Sequence, residues 1–371
     1  NIFSKDKLRY KPENLTNLIS FKKGESYNEL LRTKTIKQLN NLENFQYPSV
    51  SYNYLDNSKD QLEANVLLNP KKRFSLGFGF DLKHSNIEDI GVAFETSFTS
   101  RNVFQGAERL ELSSRGTIGK SGNTTISEYG VDIRFKFPRL FLPLISKKLL
   151  AVDYSPTTYI GIGTSKQTNI GLDRQSFKFD LNYEWENKSD KKINLGLLNV
   201  ELVDNKNIIN YFNIYTNSFK SINSIAVKSN ASNSYFNSLN KLIIPNGINS
   251  FINDVVSQNL TLDQKDFNSV NYINDRRKRL TSNNLIISSS FSKIFDNRKS
   301  EFDENFSKFR FKLELAGSLT NFLANQFNAS IDEYGNKKIL GLAYSQYFKT
   351  ELNYIRHWAI SSSSTIAIRG Y

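Results

Sequence analysis

The chain of 371 residues is long enough for one large barrel or two ordinary domains, and it is basic, with 49 Lys and Arg against 36 Asp and Glu for a net charge of +13. It has no cysteine, which excludes disulfides, thiolate metal sites and thiol nucleophiles within it. Its Lys and Arg residues are spread through alternating segments rather than gathered in blocks, which argues against nucleic acid as a partner and suits a polar barrel interior.

The N-terminal stretch, residues 1–70, is expected to form a small α+β domain. An extended segment from Ile2 to Tyr10 leads to Glu13–Phe21 and a turn at Lys23 and Gly24. A helix is expected from Asn28 to Phe45, because Ile36, Leu39, Leu42 and Phe45 recur every third residue and leave Lys, Gln and Asn on the other face. Two strand-like runs come next, Val50–Asp56 and Gln61–Asn69, so the expected order is β-α-α-β-β. Asn69 to Arg73 is expected to be the link into the strand that begins at Phe74.

From Phe74 the period changes to two. Phe74, Leu76, Phe78, Phe80 and Leu82 alternate with Ser75, Gly77, Gly79, Asp81 and Lys83. The same pattern holds at 90–99, 129–137, 177–185 and 309–315, and less cleanly at 107–118, 156–168, 192–203, 284–296, 344–358 and 363–371. That makes about eleven strands, apolar on one side and polar on the other, with Phe and Tyr dominating the apolar side. The phase predicts that Phe78, Val131, Phe179 and Phe311 face lipid while Asp81, Asp132, Asp180 and Lys312 face a lumen. Mean hydropathy is −0.47 and no apolar run approaches the roughly 18 residues of a membrane-spanning helix. A barrel strand hides its lipid face in alternate residues, so a transmembrane antiparallel β-barrel fits. A soluble sandwich also alternates, but it would carry a core of mixed Val, Leu and Ile.

An odd strand count predicts further strands beyond Tyr371, because a closed bacterial barrel has an even number. A leader and any lipid-bearing cysteine are expected upstream of Asn1. Between Asn205 and Ser282, after the seventh strand, the alternation stops. This Asn- and Ser-rich segment, with helix-like pieces such as Ile248–Val256, is expected to be a folded extracellular insert, a disordered linker being the alternative. The run Arg276, Arg277, Lys278 and Arg279 inside it is expected to be solvated loop.

Catalytic chemistry is hard to find, and the chain is not expected to be an enzyme or to hold a metal or cofactor. The two histidines, His84 and His357, are isolated, and without cysteine they make no usual zinc site. The pairs Gly77/Gly79 and Gly161/Gly163 lie inside strands and lack the helix that a phosphate cradle needs.

Tyr10–Phe45 resembles the last POTRA domain of the BamA/TamA family of outer-membrane barrel-assembly proteins, in which a turn (here Gly24 and Tyr27) precedes a helix start (here Arg32 to Thr35). Leu67–Asn86 and Arg101–Gly119 resemble the family's first barrel strands. Arg101, Asn102, Phe104, Gly106, Ala107 and Glu108 match its hairpin motif, the most specific signal. Asn210–Ala226 and Phe306–Ala324 are similar to the TamL branch, a lipoprotein variant. The letters of the family's inward loop motif recur at Ile368–Tyr371, but Ser361 to Thr365 stand where glycines should, so Arg369 is expected to lie in a strand.

The resemblance covers nearly the whole chain. It implies a Gram-negative outer-membrane barrel of about 16 strands when complete, over residues 71–371 and beyond, behind a periplasmic POTRA domain. It also implies insertion or assembly of unfolded outer-membrane protein clients in contact with outer-membrane lipid, without a cofactor, and a periplasmic TamB-like partner. The working element would be a lateral seam at the first strand: Phe74, Leu76, Gly77, Phe78, Gly79 and Phe80. A secretion or diffusion pore of the same superfamily is the alternative, and a structural barrel that displays the insert is a third.

Overall fold

The computed structural model describes residues 2–4, 7–55, 58–84, 90–121, 124–141, 156–168, 173–186, 191–206, 208–298, 303–318, 321, 338–339, 342–361 and 364–371. The first elements are a short helix α1 (Pro12–Thr16), a helix α2 (Glu29–Asn41) and the antiparallel strands β1 (Phe45–Leu55) and β2 (Ser58–Pro70). Asn28 caps α2 by accepting the Leu30 N–H at 2.9 Å, and the chain leaves the helix through Glu43 at φ +60°. The expected helix therefore ends four residues early, and Phe45 enters the core from a strand. The buried helix positions are Thr35 and Leu39, not Ile36, and Leu42 is buried just past the helix at its C-cap. Thr35 tolerates burial because its hydroxyl donates to the Leu31 carbonyl at 2.8 Å and accepts from the Ser20 N–H at 3.0 Å. The described residues before Tyr10 form no strand, so the order is α-α-β-β. Asn69 and Pro70 pair with Gln46 and Phe45, which shortens the link to Lys71–Arg73.

Eleven strands form one antiparallel sheet: β3 (Phe74–Lys83), β4 (Ile90–Arg101), β5 (Arg109–Ser121), β6 (Thr124–Phe137), β7 (Thr157–Thr168), β8 (Asp173–Glu186), β9 (Lys191–Lys206), β10 (Asn284–Asp296), β11 (Ser307–Ala316), β14 (Tyr347–Ser361) and β15 (Ser364–Gly370). A minor hairpin, β12 (Lys338–Ile339) with β13 (Leu342–Ala343), sits in the β11–β14 connection. Strands neighbour in sequence order, and β3 and β15 end the sheet, each with one partner among the described residues. Arg369 lies in β15 opposite Ile355.

Directly opposed residues share a face, so pairing carries the phase from strand to strand. Phe78 faces Thr96, Phe98 faces Leu112, Leu112 faces Ile133, Ile133 faces Ile162, and Ile162 faces Phe179. Phe179 then opposes Val200, and across the sheet Phe311 opposes Leu352. The alternate residues gather charge on the other face. Arg115 pairs with Asp132 at 2.5 Å, Lys178 with Glu201 at 3.5 Å and Lys312 with Glu314 at 3.2 Å.

In β9 the alternation breaks at the adjacent Leu197 and Leu198. The register shifts at that point: Leu181 opposes Leu198 while Asn182 opposes Gly196, leaving Leu197 as the extra residue of a bulge. Both leucines thereby stay on the apolar side and Glu201 stays among the charges.

The apolar face is largely uncovered. Phe78 is 76% exposed and Phe348 68%, and Val131, Ile162, Leu352 and Ile366 are exposed with them. Near its upper edge Ile339, Leu342 and Tyr344, on and beside β12–β13, pack with Val200, Leu202, Leu285 and Ile287. The other two buried apolar clusters contain no residue of this face among the described residues.

The segment between β9 and β10 is folded. Helices α3 (Tyr211–Ile214), α4 (Thr216–Lys228), α5 (Asn246–Val256) and α6 (Gln264–Thr281) surround a core of their own. Its centre is α5, whose Ile248, Phe251, Ile252 and Val255 have helical spacing and are all 0% exposed. Lys228 ties α4 to α6 through Asp263 at 2.9 Å and Asp266 at 2.7 Å. The run Arg276–Arg279 lies on α6 and not in a loop. This insert leaves the sheet at the end opposite the link from β2, because β3 runs away from that link and strands then alternate in direction.

Since the insert has a separate core, Phe251→Ala should cost it about 3–5 kcal/mol. Hydrogen exchange should show amides of residues 211–281 losing protection while the strands keep theirs. Equal loss in the strands would mean that the two cores are one.

Candidate functional site: the turn that holds the N-terminal elements

The hairpin-motif residues come together in the turn joining β4 to β5, at the end of the sheet where β3 begins. Three non-glycine residues there have left-handed backbones: Asn102 at φ +56°, Gln105 at +64° and Ala107 at +62°. Such conformations cost energy and persist only where surrounding contacts over-determine them. Glu108 supplies those contacts. Its carboxylate, 0% exposed, accepts the N–H groups of Phe104 at 3.1 Å and Gly106 at 2.9 Å and pairs with Arg139 at 2.7 Å. Asn102 closes the turn, donating its N–H to the Glu108 carbonyl at 2.6 Å and accepting from the Ala107 N–H at 3.1 Å. A Cβ at Gly106 would collide with the Glu108 carboxylate and the Arg139 guanidinium, so the ion pair requires glycine there. Phe104 is exposed and stacks on Phe135 at 5.8 Å.

Ala107 projects from this turn into the buried cluster of the N-terminal elements, beside Tyr10, Leu15, Leu18, Leu39, Leu42 and Phe45. Polar bonds surround that contact. Lys11 N–H donates to the Gln105 carbonyl at 2.8 Å, Asn102 Nδ2 to Arg9 O at 2.7 Å, and Asn44 Nδ2 to Ala107 O at 2.6 Å. Arg101 reaches the carbonyls of Glu43 and Lys72 at 3.2 and 3.1 Å. On the sheet, Arg109 directly opposes Lys136, a like-charge pair that is unfavourable unless an anion joins it. Glu43 is that anion, paired with Arg109 and lying 3.4 Å from Lys136.

Sequence reasoning found Arg101, Asn102, Phe104, Gly106, Ala107 and Glu108 but missed Glu43, Asn44, Arg109, Lys136 and Arg139. Only the Arg109–Lys136 opposition left a trace, and it needs a known register to be read.

The remaining candidates lie elsewhere. Phe74, Leu76, Phe78 and Phe80 of β3 are exposed on the apolar face, and Phe74 stacks on Phe98 at 5.8 Å. Gly77 and Gly79 lie on the charged side opposite Ser97 and Glu95. Gly24, at φ +86° with no atom within 4 Å of a notional Cβ, serves its turn's backbone and not a close contact. Tyr27 meets Tyr52 edge-on at 4.9 Å. Arg32 lies past the first turn of α2, where its Nε donates to Val50 O at 3.0 Å and joins the helix to β1.

No protein-family model and no curated protein matches the chain. Among solved structures it is similar to BamA from Haemophilus ducreyi lacking POTRA domains 1–3, with 11% identity and a TM-score of 0.48 over 98% of this chain and 53% of that one. It is also similar to CdiB from Escherichia coli, with 10% identity and a TM-score of 0.42 over 95% of this chain and 49% of that one. The chain thus spans about half the length of these two solved chains.

Burial alone would raise the pKa of Glu108, but the backbone N–H groups and Arg139 outweigh it and hold the carboxyl below its ordinary value. A carboxylate with a lowered folded pKa stabilises above its unfolded pKa, and that stability is lost as pH falls through the folded value. The turn should therefore be protected from hydrogen exchange at neutral pH and loosen at pH below about 4. Glu108→Gln should loosen it already at neutral pH, by about 1.5–3 kcal/mol, and flatten the pH dependence. A glutamine variant as protected as the parent at neutral pH would show that the charge does not hold the turn.

Proposed function

We propose that the chain is part of an outer-membrane β-barrel protein that inserts or assembles other outer-membrane proteins. The carrying observation is the apolar face that runs across eleven strands, exposed, with most of the charged strand residues on the opposite face and only a few, such as Lys166, Lys293 and Arg356, on the apolar side toward the strand ends. A soluble sheet buries such a face against another layer. Hydrocarbon needs no second layer, and alternation of apolar outside with polar inside is what a lipid-embedded barrel requires. In this reading the N-terminal elements are the periplasmic POTRA-like domain, the α-helical insert caps the external side, and further strands complete the barrel.

The seam reading rests on β3. A Cβ at Gly79 would make only an ordinary 3.7 Å contact with Glu95, and one at Gly77 would meet the movable hydroxyl of Ser97. Crowding therefore does not call for both glycines. Each gives up packing and costs roughly 0.5–1 kcal/mol relative to alanine, which suits a strand that must part and reclose. A parted edge in lipid can pair with an incoming client strand by β-augmentation. No cofactor or energy source of its own enters this scheme. The partners are unfolded outer-membrane clients, lipid and a TamB-like periplasmic protein at the N-terminal elements, with no nucleic acid.

A conduit is the second reading, favoured by the charged face itself. It holds a cavity of about 320 Å³ lined by Lys178, Asp180, Glu201, Lys312, Glu314 and Tyr347.

Cysteines placed in β3 and in the closing strand of the full-length barrel would lock the seam by a reducible disulfide. Client insertion into vesicles should stop when the seam is locked and return on reduction. Insertion undiminished with the seam locked contradicts lateral gating. Solute flux through the locked barrel, with no insertion in either state, favours the conduit.

A further inference from the structure

The upper end of the sheet carries a charge arrangement that neither the seam nor the turn uses. Arg276, Arg277, Lys278 and Arg279 stand in a row near the end of α6, which closes at Thr281 only Ser282 and Asn283 before β10. Arg277 is part-buried and has no carboxylate among its partners in the described residues. Its guanidinium donates to the neutral side-chain oxygens of Asn249 and Asn274 and lies over Phe212 at 5.5 Å. Arg276 is exposed and lies over Tyr215 at 5.2 Å, and the Tyr215 ring meets that of Tyr211 at 4.4 Å with a 32° tilt. Arg279 is exposed as well, and among the described residues neither Arg276 nor Arg279 has an ion-pair partner. Aromatic faces hold guanidiniums in place while leaving their N–H groups free to donate.

Position gives this cluster its meaning. The apolar face ends just below it, at the opposed residues Leu285 and Leu202. Helical rise places Arg276 and Arg279 within about 5 Å of each other along the axis and within about two turns of the strand end. In a barrel embedded by its apolar face, that height is the level of the lipid headgroups.

We propose that the basic end of α6, with Arg276 and Arg279 as its exposed donors, binds the phosphomonoester groups of anionic lipid headgroups, in preference to zwitterionic phosphodiesters, in the leaflet around the upper end of the sheet. Planar guanidiniums match a phosphate with paired N–H···O bonds, and a membrane surface presents phosphates at the matching height. The inference rests on the membrane-barrel reading above.

The test uses full-length protein in phosphatidylcholine nanodiscs with or without bis-phosphorylated lipid A. Hydrogen exchange of amides 272–283 should slow about fivefold or more with lipid A, the factor one cation near an anionic surface contributes. The slowing should vanish in the double variant Arg276→Gln, Arg279→Gln, while the amides of α5 stay protected as a check on folding. Inorganic phosphate at matched concentration should have no effect. No slowing with lipid A, or slowing that survives in the double variant, would overturn the site. An equal effect of free phosphate would overturn its assignment to lipid. Failure of the parent protein to enter nanodiscs would instead sink the membrane reading on which the site depends.

Discussion

A β-strand sends successive side chains to opposite faces, and one aligned pair of residues commits the neighbouring strand to the same division. Everything else in this chain depends on that division being kept across eleven strands. Phe78 on β3 and Ile366 on β15 belong to one apolar face because each intervening pair, such as Ile133 with Ile162 and Phe311 with Leu352, passes the phase on. A slip of one residue anywhere would turn a row of Asp, Lys and Arg toward the apolar side. The bulge at Leu197 shows how strictly the division is held. Two adjacent leucines would have reversed β9, and the extra residue restores the phase.

The turn between β4 and β5 is where this sheet meets the N-terminal elements. Its left-handed residues are unfavourable on their own, and a buried carboxylate holds them by gathering two backbone N–H groups and an arginine. The strained shape presents Ala107 to a core on the far side of the joint and turns the Gln105 and Ala107 carbonyls toward Lys11 and Asn44. The turn thereby ties the N-terminal elements to β4, the strand that pairs with β3 at the end of the sheet.

The strands were legible because period two needs no knowledge of neighbours. All eleven lie where alternation placed them, with ends shifted by a few residues. The bulge at Leu197 was not legible, because only the register shows it. The α2 stripe was misread because apolarity was taken as the sole criterion. Thr35 fills the inward position by satisfying its hydroxyl within the fold, and Phe45 joins the same core from β1. The run Arg276–Arg279 passed for loop because α6 buries little apolar surface, chiefly Val270 and Ile273. The hairpin motif disclosed one side of the joint. Glu43 and Asn44 come from one segment and Arg139 from another, both remote from the turn in sequence, and nothing in their local pattern points to the joint they form.

The division of faces can be read directly by placing single cysteines at each position from Tyr129 to Phe135 on β6, in full-length protein folded into vesicles. The native chain contributes no thiol over its 371 residues to confuse the result. Fluorophores at residues 129, 131, 133 and 135 should be quenched by lipids brominated in their acyl chains, and those at 130, 132 and 134 by an aqueous quencher. Strict alternation between the two is the expected outcome. Aqueous quenching at every position, or protection of the odd residues without lipid contact, would mean that protein and not hydrocarbon covers the apolar face.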